Sequence, residues 1–98
     1  MRLPTHRAPT TPGEILLEEW LKPMKLTQLA LAKRMGVDIQ LVNGIVNGRR
    51  AVTAKTALHL ARVLKTTPEF WLNAQMAVDL WHAQAALKDE RPSRRKSA

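Results

Sequence analysis

The chain has 98 residues, which is enough for one small domain and too few for two independent hydrophobic cores. Hydrophobic residues make up 45% of it, but only three Trp and one Phe are aromatic, so the core must be mainly aliphatic. Sixteen Lys and Arg against eight Asp and Glu give a formal net charge of +8, which favours a polyanionic partner. Nucleic acid is the first candidate for this partner, and an anionic membrane or an acidic protein is an alternative. The absence of Cys excludes disulfides, cysteine nucleophiles and thiolate metal sites.

The two ends of the chain differ in composition from its middle. The first ten residues contain two prolines and no apolar periodicity, and residues 88–98 contain five basic and two acidic residues, a composition too polar to bury a core. We therefore expect a flexible N-terminal arm over 1–10, a folded domain over 11–87 and a basic disordered tail over 88–98. Neither a signal-peptide h-region nor an apolar run of membrane-spanning length is found, so we expect no membrane partner.

Five segments of the predicted domain have helical spacing, and none alternates as a half-buried strand does, so we expect an all-α fold. The first segment opens with Thr11, Pro12 and Glu14 in the order of a capping box. It continues through Trp20, and we expect Pro23 to end it.

The second and third segments are joined by a very short link. Thr27 is positioned to cap the second segment and Gly36 to end it in the left-handed conformation, and Asp38 caps the third segment, 39–46. Two helices separated by so few residues must meet at a sharp corner, which is the geometry of a helix-turn-helix. Gln40 and Asn43 lie three residues apart on the outer face of the third segment, where side chains can reach base edges.

The fourth segment begins at Thr53, and the fifth begins after Thr67, Pro68 and Glu69 and runs towards Leu87. Within the fifth, we expect Phe70 to be buried in the core. The apolar residues near its end lie beyond the helix-turn-helix core and predict a contact with a second copy of the chain. This predicted dimer contact comprises Leu80, Trp81 and Leu87. The alternative is that Trp81 packs against Trp20 of the first segment.

A resemblance extends over about 11–76. The run LTQLALAKRMGV at 26–37 and the run IVNGRR at 45–50 resemble the lambda-repressor/Cro-like (XRE) helix-turn-helix family. PGEIL at 12–16, ALHLARVL at 57–64 and TTPEFWLNAQ at 66–75 resemble the HigA/VapI branch, which contains antitoxins of bacterial toxin-antitoxin pairs. The resemblance implies a five-helix homodimer that binds double-stranded DNA at a palindromic operator in its own promoter. It also implies neutralisation of a HigB-like toxin, an mRNA endonuclease, in the bacterial cytoplasm, with nucleoid association at the operator.

The resemblance also implies roles for individual positions. Those expected to face bases are Asp38, Ile39, Gln40, Asn43 and Gly44. Those expected to contact phosphate are Thr27, Gln28, Asn47, Arg49 and Arg50, and Gln28 is also expected to support the helix that reads DNA. Within the first set we expect Gln40 and Asn43 to dominate, since each can bond adenine through two hydrogen bonds, while Ile39 can meet a thymine methyl group. Gly44 departs from the family pattern, and we expect it either to weaken the helix or to permit close approach to DNA.

Two other functions remain open at this level: a solitary regulator without a toxin, and a protein-interaction module whose DNA binding is secondary. An enzyme is not expected. The sequence has no HExxH motif, no telling Ser/His/Asp spacing and no phosphate-binding glycine loop, and its histidines fit structural roles. We therefore expect no catalytic residue, no metal and no cofactor.

Overall fold

The computed structural model describes residues 8–89, so most of the predicted arm and tail lies outside the described residues. Five helices and no strand are found within that range, which confirms the all-α prediction. Helix α1 spans 12–24 and is continuous through Pro12–Leu16, the π-helical turn Leu17–Leu21 and Lys22–Met24. The other four are α2 (Gln28–Met35), α3 (Ile39–Val46), α4 (Ala54–Leu64) and α5 (Pro68–Lys88).

Each helix begins at a side-chain cap, and the sequence predicts three of these five caps, Thr11, Thr27 and Asp38. At the start of α1, Thr11 Oγ1 accepts from the Glu14 amide at 3.1 Å and Glu14 Oε1 accepts from the Thr11 amide at 3.0 Å, a complete capping box. The other four caps are Thr27, Asp38, Thr53 and Thr67. Such a cap stabilises a helix by about 1 kcal/mol relative to alanine, so short helices such as α2 and α3 depend on it.

The expectation that Pro23 ends α1 is wrong. The helix continues to Met24 and ends when Lys25 adopts the left-handed conformation, with φ of 53°. A proline inside an α-helix lacks its N–H and presses its ring on the carbonyl four residues earlier. Here the turn immediately before Pro23 is wound more widely, because the Lys22 amide donates to the carbonyl of Leu17, five residues back. The π-helical turn therefore accommodates the proline.

The core lies where all five helices meet. Its most deeply buried side chains are aliphatic, apart from one tryptophan on α5 and one methionine on α2: Leu16, Leu31, Met35, Val42, Ile45, Leu60 and Trp71. Helix α3 packs against both α2 and α1, and α5 packs against α4 and α1. The α2–α3 corner is therefore held from behind by α1, which fixes the direction in which the outer face of α3 points.

The prediction that Phe70 is a core residue is wrong, because its neighbour takes that place. Trp71 is fully buried, and its Nε1 donates to Thr66 Oγ1 at 2.7 Å, while Phe70 is 40% exposed. A buried tryptophan needs a partner for its one polar hydrogen, and Thr66 supplies it. Phe70 lies instead at the edge of an aromatic cluster, with ring centroids 5.7 Å from Trp20 and 5.0 Å from Trp71.

The far end of α5 projects from this core. Trp81 is half-buried, and every residue from His82 to Asp89 is exposed. Trp20 packs against Phe70 and Trp71, near the start of α5, rather than against Trp81. No helix between residues 8 and 89 is both long enough and apolar enough to cross a membrane.

Candidate nucleic-acid interface

The corner between α2 and α3 is formed as the sequence predicts. Gly36 ends α2 with φ of 73°, and the Val37 amide donates back to the carbonyl of Ala32 at 3.0 Å. Such a positive φ is readily adopted by glycine and disfavoured for residues with a Cβ. Asp38 then caps α3 through a 2.7 Å hydrogen bond from the Gln40 amide. The inner sides of both helices are buried through Leu31, Ala32, Val42 and Ile45, which leaves the opposite side of α3 free.

The free side of α3 begins with three exposed residues from the predicted base-facing set. Gln40 is exposed, and its side-chain amide makes no hydrogen bond to any other residue within 8–89. Ile39 is 40% exposed, which leaves apolar surface next to Gln40 in the first turn of α3. Asp38 is exposed as well, but one of its carboxylate oxygens is already engaged as the helix cap. Of these three, Gln40 has the donor and acceptor pair that reads adenine, and both groups are unoccupied.

Asn43, the other residue expected to read a base, is differently placed. It is half-buried, and its amide makes three side-chain hydrogen bonds. Nδ2 donates to Gln28 Oε1 at 3.1 Å, and Oδ1 accepts from Asn47 Nδ2 at 3.0 Å and from Arg49 Nη2 at 2.9 Å. Asn43 therefore joins the start of α2 to the segment after α3.

The structure argues against the predicted base contact at Gly44. This glycine is buried, and its carbonyl accepts from the amides of Arg49 at 2.8 Å and Arg50 at 3.0 Å. A Cβ at this position would lie 2.7 Å from Cγ of Arg50. The close neighbour of Gly44 is therefore the aliphatic stem of Arg50, and the carbonyl of Gly44 holds the turn that carries the two arginines.

The five residues expected to contact phosphate flank this face. Thr27 is exposed and caps α2 by accepting from the Ala30 amide at 3.0 Å. Gln28 is half-buried, and because its Oε1 is the atom bonded to Asn43, both Nε2 hydrogens remain as donors. Asn47, Arg49 and Arg50 are all exposed. Amide, hydroxyl and guanidinium donors at both ends of an exposed helix face are the groups that bind DNA phosphates.

Two positions that support this face were not singled out from the sequence. An ideal Cβ on Gly13 would overlap the carbonyl oxygen of Ile45, so the first turn of α1 lies directly against the last turn of α3. Gln75 on α5 accepts from the Val52 amide at 2.8 Å and donates to Asp79 at 2.9 Å, which ties the segment after Arg50 to α5. A glycine in the first turn of a helix was the only signal in the sequence for the first contact.

The predicted dimer residues lie elsewhere, towards the C-terminal end of α5. Leu80 is 46% exposed and Leu87 is 55% exposed, and Trp81 between them is half-buried. They form no part of the hydrogen-bonded network around Asn43, so DNA contact and dimer contact would use separate parts of the domain.

Comparison with known proteins agrees with this architecture. The helix-turn-helix family model matches residues 17–71, more than half of the chain. Antitoxin HigA-1 of Vibrio cholerae is 46% identical over 86 residues, which cover 88% of this chain and 81% of that protein.

Solved structures are similar over the same region. The structure of the Pseudomonas aeruginosa antitoxin HigA with higBA promoter has 35% identity and a TM-score of 0.78, covering 86% of this chain and 97% of that one. Antitoxin GraA in complex with its operator has 41% identity and a TM-score of 0.74, covering 92% and 96% of the two chains. The resemblance stated from the sequence is confirmed: this chain belongs to the helix-turn-helix family, in the branch that contains the HigA antitoxins.

Proposed function

We propose that this chain is the antitoxin of a type II toxin-antitoxin pair and that, as a homodimer, it represses the operon that encodes it. The observation that carries the proposal is the outer face of α3, where Gln40 and Ile39 are exposed and the side chains of Gln28 and Arg49 meet at Asn43. The similar structures described above include one with promoter DNA and one with its operator. Neutralisation of a HigB-like mRNA endonuclease is proposed on the similarity to HigA antitoxins.

The geometry allows one set of residues to provide affinity for DNA and another to recognise its sequence. Contacts from Thr27, Gln28, Asn47, Arg49 and Arg50 to phosphates position α3 in the major groove without reading sequence. Gln40, with an unoccupied amide, then contacts base edges. In a dimer, two copies of α3 about 34 Å apart occupy successive major grooves of a palindromic site, which excludes polymerase from the promoter.

The dimer contact is proposed at Leu80, Trp81 and Leu87 on the projecting part of α5. Burying two leucines that are about half exposed would remove apolar surface from water. Each Å² buried stabilises the dimer by about 25 cal/mol. The protein would act in the bacterial cytoplasm, and at the nucleoid when bound to its operator.

Two measurements test the proposal. The first is footprinting of the purified protein on the DNA upstream of its own gene, where a protected palindrome is expected. The second is sequencing of the DNA beside its gene and co-expression with a small reading frame found there, where growth arrest by that frame and its relief by this chain are expected. Protection without any relief of growth arrest would favour the solitary regulator, and relief without protection would favour the protein-interaction module.

A charge-reversal pair separates the two activities. Arg49→Glu combined with Arg50→Glu places two negative charges beside the proposed phosphate contacts and should abolish protection while growth rescue survives. Lys65→Glu is the control, because Lys65 is exposed at the end of α4 and belongs neither to the proposed phosphate contacts nor to the proposed dimer contact. Loss of both activities in the arginine variant, with the control unaffected, would contradict separate surfaces.

A further inference from the structure

We propose that Asn43 is a positioning residue for DNA binding, which holds Gln28 and Arg49 in place for the phosphate backbone, and that it does not read a base. This inference rests on the DNA-binding function proposed above. It assigns to Asn43 a role different from the one that its place on α3 predicts.

The first argument is the number of hydrogen bonds that one amide can form. To read adenine, an asparagine donates from Nδ2 to the base N7 and accepts at Oδ1 from the base N6. An amide oxygen has two lone pairs, and those of Asn43 Oδ1 already accept from Asn47 at 3.0 Å and Arg49 at 2.9 Å. Contact with adenine would break at least one of these bonds, and the bond from the charged guanidinium is of the stronger kind.

The second argument is the contrast with Gln40. Both side chains carry the same amide group and lie on the same side of α3, three residues apart. Gln40 is exposed, and within 8–89 its side chain has no hydrogen-bond partner, whereas Asn43 is half-buried and bonded to three side chains. A half-buried amide with every acceptor position filled is a structural link, and an exposed amide without partners is available to a ligand.

The third argument is what the link holds. Arg49 lies outside α3, in the segment that follows it, and its long side chain would lose considerable rotamer freedom on binding DNA if it were not already held. Asn43 fixes the guanidinium at 2.9 Å, and Gly44 fixes the Arg49 amide at 2.8 Å. At the other end, the bond to Gln28 Oε1 orients that amide so that both hydrogens of Nε2 remain available. One side chain thus prearranges donors from α2 and from the segment after α3.

A positioning role and a base-reading role differ in measurable ways. Removal of a base contact lowers affinity for the operator and leaves affinity for unrelated DNA unchanged. Removal of a residue that prearranges phosphate contacts lowers both affinities by the same factor. It also weakens the dependence of affinity on salt, whose slope falls by about 0.9 for each phosphate that the protein ceases to neutralise.

The test uses the full chain with Asn43→Ala and Arg49→Ala, singly and together, and Gln40→Ala as the matched control on the same helix face. Binding to the protein's own upstream duplex and to a scrambled duplex is measured by fluorescence anisotropy at several salt concentrations. For Asn43→Ala we expect affinity to fall about tenfold on both duplexes, which corresponds to one charge-assisted hydrogen bond, and the salt slope to decrease. Because Asn43 acts through Arg49, the affinity of the double variant should fall by less than the product of the two single effects.

Two results would overturn the inference: a decrease confined to the upstream duplex, or effects of Asn43→Ala and Arg49→Ala that simply multiply. Thermal unfolding monitored by circular dichroism verifies that Asn43→Ala is folded, and Asn43→Ser, too short to reach Gln28 or Arg49, provides a second variant with the same expected decreases. If the wild type does not prefer its own upstream duplex, the operator function fails. The scrambled duplex and its salt slope still decide the role of Asn43 in that case.

Discussion

The backbone of Gly13 in α1 lies directly against the carbonyl oxygen of Ile45 in α3, at a separation that leaves no space for a Cβ atom. This contact places the first turn of α1 behind the last turn of α3, the helix proposed to bind DNA. The carbonyl of Val46 is also within contact range of that position. A Cβ atom on residue 13 would meet backbone atoms of Ile45 and Val46, and these atoms cannot move aside unless α3 moves with them.

Gly13→Ala should therefore destabilise the domain. Overpacking of this kind typically costs about 1–3 kcal/mol, and the stabilisation from the helix propensity of alanine, up to about 1 kcal/mol, offsets only part of it. Urea unfolding monitored by circular dichroism should show a lower midpoint with an unchanged slope. A midpoint equal to or above that of the wild type would show that the two helices do not approach as closely as the structure indicates.

Gly44→Ala is the matched comparison, because this glycine is also helical and also crowded but its neighbour is a flexible side chain. The new Cβ would meet Cγ of Arg50, which can swing away into solvent. We expect the free energy of unfolding to rise by up to about 1 kcal/mol from helix propensity. DNA affinity should fall by a similar factor for operator and scrambled duplexes, because Arg50 is displaced from its position over α3. A destabilisation as large as that of Gly13→Ala would contradict this distinction between backbone and side-chain contacts.

These two glycines show what the sequence could and could not predict. The five helix starts and the turn at Gly36 were predictable because each depends on residues within a few positions of one another, as the capping box of Thr11 and Glu14 does. The packing of Gly13 on Ile45 joins residues far apart in the chain, and no local sequence pattern predicts it. For the same reason the sequence did not identify Trp71, rather than Phe70, as the core residue: which ring is buried depends on which side of α5 packs against helices distant in the chain.

For the proposed DNA-binding site, the sequence predicted which residues lie together better than it predicted what each residue does. The family resemblance located Gln28, Asn43 and Arg49 on one surface, and the structure does bring them together. The resemblance implied that Gln28 supports α3, but not that Asn43 bonds both Gln28 and Arg49, because spacing along a helix shows which side a residue occupies and not which partner it selects. The reassignment of Gly44 has the same origin, since its neighbour Arg50 folds back from the segment after α3.

Gln40→Ala should remove sequence discrimination with little change in general affinity. A bidentate contact between an amide and a base is worth about 1–3 kcal/mol of discrimination, so operator affinity should fall about 5- to 150-fold while scrambled-duplex affinity stays within about twofold. Competition footprinting with excess scrambled DNA measures this ratio directly. Equal decreases on both duplexes would assign Gln40 to the phosphate-binding set.

The final prediction concerns the projecting end of α5, where Leu80 and Leu87 are 46% and 55% exposed. If these residues form the dimer contact, Leu80→Lys combined with Leu87→Lys places two desolvated charges in an apolar interface and should convert the protein to a monomer in sedimentation equilibrium. Operator affinity should then fall by more than affinity for a single half-site, because a monomer cannot bind two half-sites simultaneously. Leu58→Lys is the control, since Leu58 is 60% exposed on α4 and should leave the oligomeric state unchanged. A dimer that persists in the double lysine variant would place the contact between copies on another surface.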